Sequence, residues 1–265
     1  MILHYELSDV APYINWVYFY FAWQLKQEQE QQRIRREAED FLRSIEGRYR
    51  THALFLLPVA HADGDDIVVE CATDGEPLRL PMLRQQHDSS SPCLSLADFL
   101  HPVADRVGLF ATSVDSGMES DFDRDPYAKM MAQLLADRLA EATAERMHQE
   151  VRTRYWGYAP SEQLSMDELH RERFQGIRPA VGYPSLPDAS LNFLLDRVLD
   201  MSQIGIRLTE SGAMRPHASV SGLMMAHPQA RYFSIGKIGD DQLSDYARRR
   251  GIPLQLARRF LAANL

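Results

Sequence analysis

Gly176-Ile177-Arg178-Pro179-Ala180-Val181-Gly182-Tyr183-Pro184-Ser185-Leu186-Pro187-Asp188 is the stretch on which the reading of this chain turns. Three prolines and two glycines surround one arginine and one tyrosine. Proline fixes φ at about −65° and removes a backbone donor, while glycine permits sharp turns and close approach. Such a segment is neither a helix interior nor a central strand. It reads as a rigid, extended loop that presents backbone amides and carbonyls in a fixed shape. Taken by itself, it also fits an ordinary connecting loop on the surface.

Both flanks mix helices with short strands. Upstream, Asp125 caps a long helix predicted to run to about Tyr155, with Met131, Leu135, Leu139 and Ala142 as its apolar stripe. Asp137, Glu141, Glu145 and Gln149 recur at spacing four on another face, the pattern of a solvated helix surface. A short helix over Asp167–Arg173 leads into the loop. Downstream, Leu191–Met201 reads as helix and Ile206–Thr209 as strand. His217–Met225 and Tyr232–Ile238 flank His227–Ala230 as an antiparallel hairpin. Helices over Asp240–Arg250, closed by Gly251, and Leu254–Ala263 end the chain.

Further from the loop, Asp9 is placed as the cap of a short helix through Ile14. The aromatic run to Trp23 reads as core packing. Asn15, the one short polar side chain within it, needs buried partners or faces a site. Lys26–Tyr49 is helical, polar at first and then amphipathic. Ala53–Val59 and Asp66–Cys71 read as strands joined through a turn at His61–Asp65. Gln85–Pro92 is a polar loop, Leu96–Leu100 a short helix with Ser95 as its cap, Arg106–Val114 a strand, and 115–125 an acidic linker. Helices intermixed with hairpins, and no βαβ rhythm, give an α+β class with an antiparallel sheet. Neither a GxGxxG after a strand nor a P-loop occurs, which disfavours those nucleotide folds.

At 265 residues the chain can bury a sizeable core, and its 45% hydrophobic and 25% charged content is ordinary for a globular protein. A net charge of −8 argues against a nucleic-acid partner. Cys71 and Cys93 are far apart and form no CxxC, which argues against a zinc site or a disulfide scaffold and fits a reducing cytoplasm. The N-terminus lacks the pattern of a signal peptide, and the Trp16–Trp23 run is too short to span a bilayer, so no membrane association is expected.

Several strings, in order, carry a family resemblance. They include Leu135–Ala142 (Leu-Ala-Asp-Arg-Leu-Ala-Glu-Ala), Tyr155–Pro160 (Tyr-Trp-Gly-Tyr-Ala-Pro), Gln175–Ala180 (Gln-Gly-Ile-Arg-Pro-Ala) and Gly182–Pro184 (Gly-Tyr-Pro). Leu208–Ser211, Ala218–Gly222, His227-Pro228 and Asp245–Arg249 follow. The chain resembles the C-terminal activation domain, which binds S-adenosylmethionine, of cobalamin-dependent methionine synthase. The resemblance is dense over 125–265 and thinner over 1–124, where Tyr13–Trp16, Phe21–Trp23 and Leu96–Leu100 carry it. It implies one C-shaped α+β domain with a central twisted antiparallel β-sheet flanked by helices, the binding core lying in 125–265. It also implies a role. S-adenosylmethionine and an electron from a flavodoxin-type donor restore methylcobalamin from inactive cob(II)alamin on the cobalamin-binding methionine synthase chain. The protein itself needs no general base, only positioning and electrostatics.

For the site, the resemblance implies Arg178 on the ligand carboxylate, Ala180 and Gly182 offering backbone to the adenosine, and Tyr183 along adenine or ribose. Tyr232 is a second tyrosine contact, and Glu141 and Glu172 hold the ammonium or steer the cation. The residue types suit these tasks: a guanidinium grips a carboxylate with a planar fork, and a ring face near a sulfonium gains about 0.5–2 kcal/mol. Two departures stand out. Asn15 occupies a position that is often Asp in the family, which predicts weaker binding of the ammonium. Ser185–Ala189 replaces a string that often carries Cys and His. No Asp-x-His-x-x-Gly motif and no zinc cysteine set occur, so cobalamin is expected on a partner chain. The start at Met1 fits a stand-alone protein acting in trans or an excised domain. The competing reading is a module that senses S-adenosylmethionine or binds a corrinoid protein without methyl transfer; a third is a methyltransferase with its own acceptor. Arg248–Arg250 with Arg258 and Arg259 form either a dock for an acidic flavoprotein or a solvated helix face.

Overall fold

The computed structural model describes residues 1–70, 75–86 and 92–265. Cys71 and most of the predicted loop Gln85–Pro92 lie outside the described residues. The chain opens with β1 (Ile2–Glu6), α1 (Leu7–Val10), a 3₁₀ turn (Ala11–Tyr13), α2 (Trp16–Ala22) and α3 (Glu28–Ser44). Strands β2 (Arg50–Leu56), β3 (Val59–Asp63), β4 (Asp66–Val69), β5 (Leu78–Pro81), β6 (Asp105–Arg106) and β7 (Gly108–Val114) follow. Then come α4 (Gly117–Ser120), α5 (Pro126–Glu150), α6 (Met166–His170) and α7 (Leu191–Leu199). The chain ends with β8 (Arg207–Leu208), β9 (Met214–Arg215), β10 (Ser219–Met224), α8 (Asp240–Arg250) and α9 (Leu254–Phe260).

The central sheet has the order β1-β2-β7-β10 and is antiparallel throughout. A second antiparallel sheet, β5-β4-β3-β6, packs beside it, and β8-β9 form a small ribbon. Every residue of β7 is buried, the mark of a strand covered on both faces. Strand periodicity then divides its side chains. Phe110 and Val114 join Phe55 and Val220 in the core under α5; Leu109 and Ala111 join Leu54 and Leu223 in the core under α7 and the second sheet. The two polar residues are satisfied: Thr112 donates to the Ala140 carbonyl at 3.0 Å and Ser113 to the Ile204 carbonyl at 2.6 Å.

The α5 helix lies across one face of the sheet, and Asp125 caps it by accepting from the Tyr127 and Ala128 amides. Its buried face is wider than the expected stripe because Ala132, Ala136, Ala140 and Ala144, at spacing four, are also buried. Small side chains in that row let the helix approach the strands closely. The helix then runs into a π-helical turn at Val151–Tyr155, closed by Trp156 N–H to the Val151 carbonyl at 2.9 Å.

The expected hairpin between His217–Met225 and Tyr232–Ile238 is not formed. Residues 231–239 run outside any ladder, and the loop takes the partner's place: Ile177 bridges Met225 and Ala180 bridges Gly222. Two glycines make this possible. A Cβ on Gly222 would lie 2.2 Å from the Pro179 carbonyl oxygen, and one on Gly176, where φ is +84°, would lie 2.2 Å from the Met225 carbonyl oxygen. The sequence suggested that the loop presents its amides outward; those of Ile177 and Val181 instead donate to the carbonyls of Met225, just past β10, and Ser221 within it.

Four smaller expectations also change. Glu6, not Asp9, caps α1; Asp9 sits in the first turn and accepts from the Glu6 amide. The Ala53–Val59 run breaks at Leu57-Pro58, and the hairpin is instead β3 with β4 around Gly64-Asp65. The 115–125 segment contains α4. Of the aromatic run, α2 buries only Phe19, while Val17, Tyr18 and Phe21 are 69%, 60% and 82% exposed, because a seven-residue helix has one face to give the core. Strand β1 was not foreseen.

Candidate functional site

The loop, the middle of α5 and the segment around Tyr232 enclose a groove of about 660 Å³. Ala142, Val220, Pro179 and Phe233 give it apolar walls, and charged side chains converge from α5 and the loop. Asn15, Glu141, Glu172, Arg178, Ala180, Tyr183 and Tyr232 all line it. Gly182 turns the loop beneath, with φ +88°, and its amide donates to the Leu186 carbonyl at 2.8 Å. Gly182 is not among the residues that line the groove; its contribution is the turn that carries Tyr183 there.

Arg178 is the centre of the charge pattern. Its side chain is 12% exposed, and Nη2 donates to Glu145 Oε2 at 3.2 Å. Burial opposes its charge, but the carboxylates of Glu145 and then Glu141 more than compensate, so the guanidinium stays protonated. The Arg178 amide donates to the Tyr232 hydroxyl at 2.9 Å, fixing the tyrosine over the loop. Burial raises the Tyr232 hydroxyl, so it stays neutral.

The spacing-four face of α5 does not face solvent as expected. Glu141 accepts from the Tyr183 hydroxyl at 2.5 Å, Glu145 holds Arg178, and Gln149 accepts from Tyr13 at 2.7 Å. Burial and Glu141 both raise the Tyr183 hydroxyl. Glu172, in left-handed backbone at φ +56°, has its carboxyl raised by burial against the opposing pull of Arg178. Asn15 caps α2 by accepting from the Val17 amide at 3.2 Å, and its side chain borders the groove. Glu145 Oε1 is buried with no hydrogen-bond partner among the described residues. An unpartnered buried acceptor costs about 1–3 kcal/mol, more when charged.

A second, apolar groove of about 600 Å³ lies between α1, α2 and α3. Its charges are used internally: Arg35 pairs with Glu39, Arg43 with Asp40, and Glu46 accepts from Ser8. It carries no comparable convergence of charge.

Comparison with known proteins gives the family and the fold. The family model described as "Vitamin B12 dependent methionine synthase, activation domain" matches residues 6–251. The chain belongs to that family. A crystal structure of the MetH reactivation domain bound to AdoHcy is 36% identical, superposes with a TM-score of 0.93, and covers 100% of this chain and 90% of its own. The mixed fold with antiparallel sheets is that of the reactivation domain. No helix among the described residues is long and apolar enough to cross a membrane.

Within this activation domain, sequence reasoning missed Glu145, which lines the groove, and His148, which lies behind it against Arg178. Glu145 stood in the spacing-four row with Glu141, so the signal existed and was read as solvation. His148, 0% exposed on the next turn of α5, had no sequence signal. Tyr13, Tyr18, Arg138 and His170 also line the groove unforeseen.

Proposed function

We propose that this activation domain binds S-adenosylmethionine in the groove and presents it for reductive methylation of cob(II)alamin carried by a separate methionine synthase chain. The observation that carries the reading is the buried, protonated guanidinium of Arg178 set among Glu141, Glu145 and Glu172 in a half-apolar groove, whose other guanidinium, Arg138, lies over the Tyr18 ring. S-adenosylmethionine has a carboxylate, an ammonium and a sulfonium, a net cation with one anionic end. That charge pattern is the complement of the groove. The AdoHcy bound in the structure similar to this chain, which is S-adenosylmethionine without its methyl group and sulfonium charge, supports an occupant of this kind.

In this reading Arg178 takes the carboxylate with the donors Glu145 does not use. Glu141 and Glu172 take the ammonium, with Asn15 adding a neutral acceptor. Ala180 and Gly182 let the adenosine lie against the loop backbone. Tyr183 and Tyr232 flank it, and a ring near the sulfonium stabilises it by about 0.5–2 kcal/mol. The chain then holds and orients the ligand and needs no acid or base of its own. Cobalamin on the partner chain, with one electron from a flavodoxin-type donor, supplies the acceptor for that methyl group.

Calorimetry with S-adenosylmethionine tests the binding half, and absence of binding would end the reading. Transfer of labelled methyl to a cob(II)alamin-loaded partner with reductant tests the rest. Binding without transfer would support the alternative, a module that senses the ligand or binds a corrinoid protein. Asn15, a neutral residue lining the groove, and Ala189 in the altered second half of the loop are the features that favour that alternative.

A further inference from the structure

We propose that His148 is a positioning residue that sets the guanidinium of Arg178 for the ligand carboxylate; the proposal rests on the carboxylate-binding reading of Arg178 given above. Arg178 Nη1 lies 3.3 Å from His148 Nδ1, while Arg178 Nη2 lies 3.2 Å from Glu145 Oε2. Glu145 and His148 are three residues apart on α5, so one helix face meets both terminal nitrogens of the guanidinium. A guanidinium only donates. His148 Nδ1 must therefore be the bare nitrogen, and the ring is the neutral tautomer with its proton on Nε2. Nε2 lies 3.4 Å from the Tyr158 hydroxyl, which can accept that proton's hydrogen bond.

The surroundings keep the ring in this state. His148 is fully buried and packs edge-on against Phe174, with centroids 5.2 Å apart. Burial first, then the charges of Arg152 and Arg178, hold its protonation well below the ordinary histidine range. Arg152 is also fully buried, but its charge is engaged by Glu162 through two bonds of 2.8 and 2.7 Å. Two acceptors on α5, one charged and one neutral, thus fix the plane of Arg178 without cancelling its charge twice. A second carboxylate at position 148 would leave the guanidinium little net attraction for a ligand anion.

The test compares S-adenosylmethionine with its decarboxylated form, which keeps the adenosine, sulfonium and ammonium. Calorimetry is run on the intact chain and on His148→Asn, His148→Gln and His148→Phe, with melting temperature recorded for each. Asn places an acceptor where Nδ1 stood; Gln places its amide near Nε2; Phe keeps ring packing alone. The unaltered protein is expected to prefer S-adenosylmethionine over the decarboxylated ligand. His148→Asn should keep that preference within about threefold, and His148→Gln and His148→Phe should lose roughly 10- to 100-fold for S-adenosylmethionine only. Equal losses for both ligands, or full preference retained in His148→Gln and His148→Phe, would overturn the proposal. If Phe does not fold, the Asn and Gln pair decides alone. If the unaltered protein shows no preference, the carboxylate role of Arg178 itself fails and this proposal falls with it.

Discussion

The two halves of the Pro/Gly loop are held by different parts of the molecule. The first half, Gly176–Val181, is bonded to β10: Ile177 and Met225 exchange bonds of 3.0 and 2.9 Å, and Val181 donates to Ser221 at 2.8 Å. The second half folds on itself, with Leu186 donating to the Tyr183 carbonyl at 2.9 Å, and is anchored from below. Asp188, fully buried, accepts from the Ser190 amide at 2.8 Å and from Tyr246 of α8 at 2.7 Å. Burial and Asp188 together hold the Tyr246 hydroxyl far above its usual range, so it remains a donor. Position within the first half is therefore set by the central sheet, and position within the second by the C-terminal helices. Changes in the two halves should separate in their effects.

Arg178→Ala should abolish measurable binding of S-adenosylmethionine, a loss on the order of 2–5 kcal/mol, since it removes the anchoring cation and strands Glu145. Affinity retained in calorimetry would sink the assignment. Gly222→Val should come next. Its side chain would meet the Pro179 carbonyl, so the loop must lift from β10, and overpacking of this kind destabilises by about 1–3 kcal/mol. An unchanged melting temperature would show that the first half is not keyed to the strand. Tyr246→Phe acts on the second half: it removes one donor from buried Asp188 and should lower stability by about 1–3 kcal/mol while affecting ligand affinity less than Gly222→Val does.

Two smaller effects concern the ammonium end. The Glu172 carboxyl is raised, so it takes up its proton at a higher pH than a free glutamate. A bound ammonium requires the ionised form, so affinity should fall as pH drops through that raised range. Glu172→Gln should flatten the profile, and an identical pH dependence in both proteins would remove Glu172 from the site. Asn15→Asp keeps the cap on α2 and adds a charge, and should tighten binding by a few-fold, since a charge-assisted bond is roughly twice as strong. Calorimetry showing no gain would place the ammonium elsewhere.

Much of this was legible in the sequence, for reasons that differ by element. The helix α5 carries its cap in Asp125, α8 its stop in Gly251 and α3 an amphipathic period, so all three were found within a few residues. The groove residues were found through family strings, not through periodicity. Glu145 was misplaced because a row of polar residues on a helix reads the same whether water or a guanidinium faces it. The Tyr232–Ile238 hairpin was misplaced because strand pairing is non-local. Nothing in that segment says that a loop some fifty residues upstream will take the edge of β10 first. The exposed apolar face of α2 was missed because composition counts rings without saying which way a short helix turns.

The bond from the Tyr183 hydroxyl to Glu141 spans the groove from loop to helix. Only Oε1 of the carboxylate is engaged, so an ammonium reaching Glu141 can share the group with the phenol or displace it. Displacement would free the Tyr183 ring from the helix, and sharing would tie loop, helix and ligand through one side chain. The same bond that closes the loop onto α5 thus leaves a second acceptor on Glu141 for whatever enters.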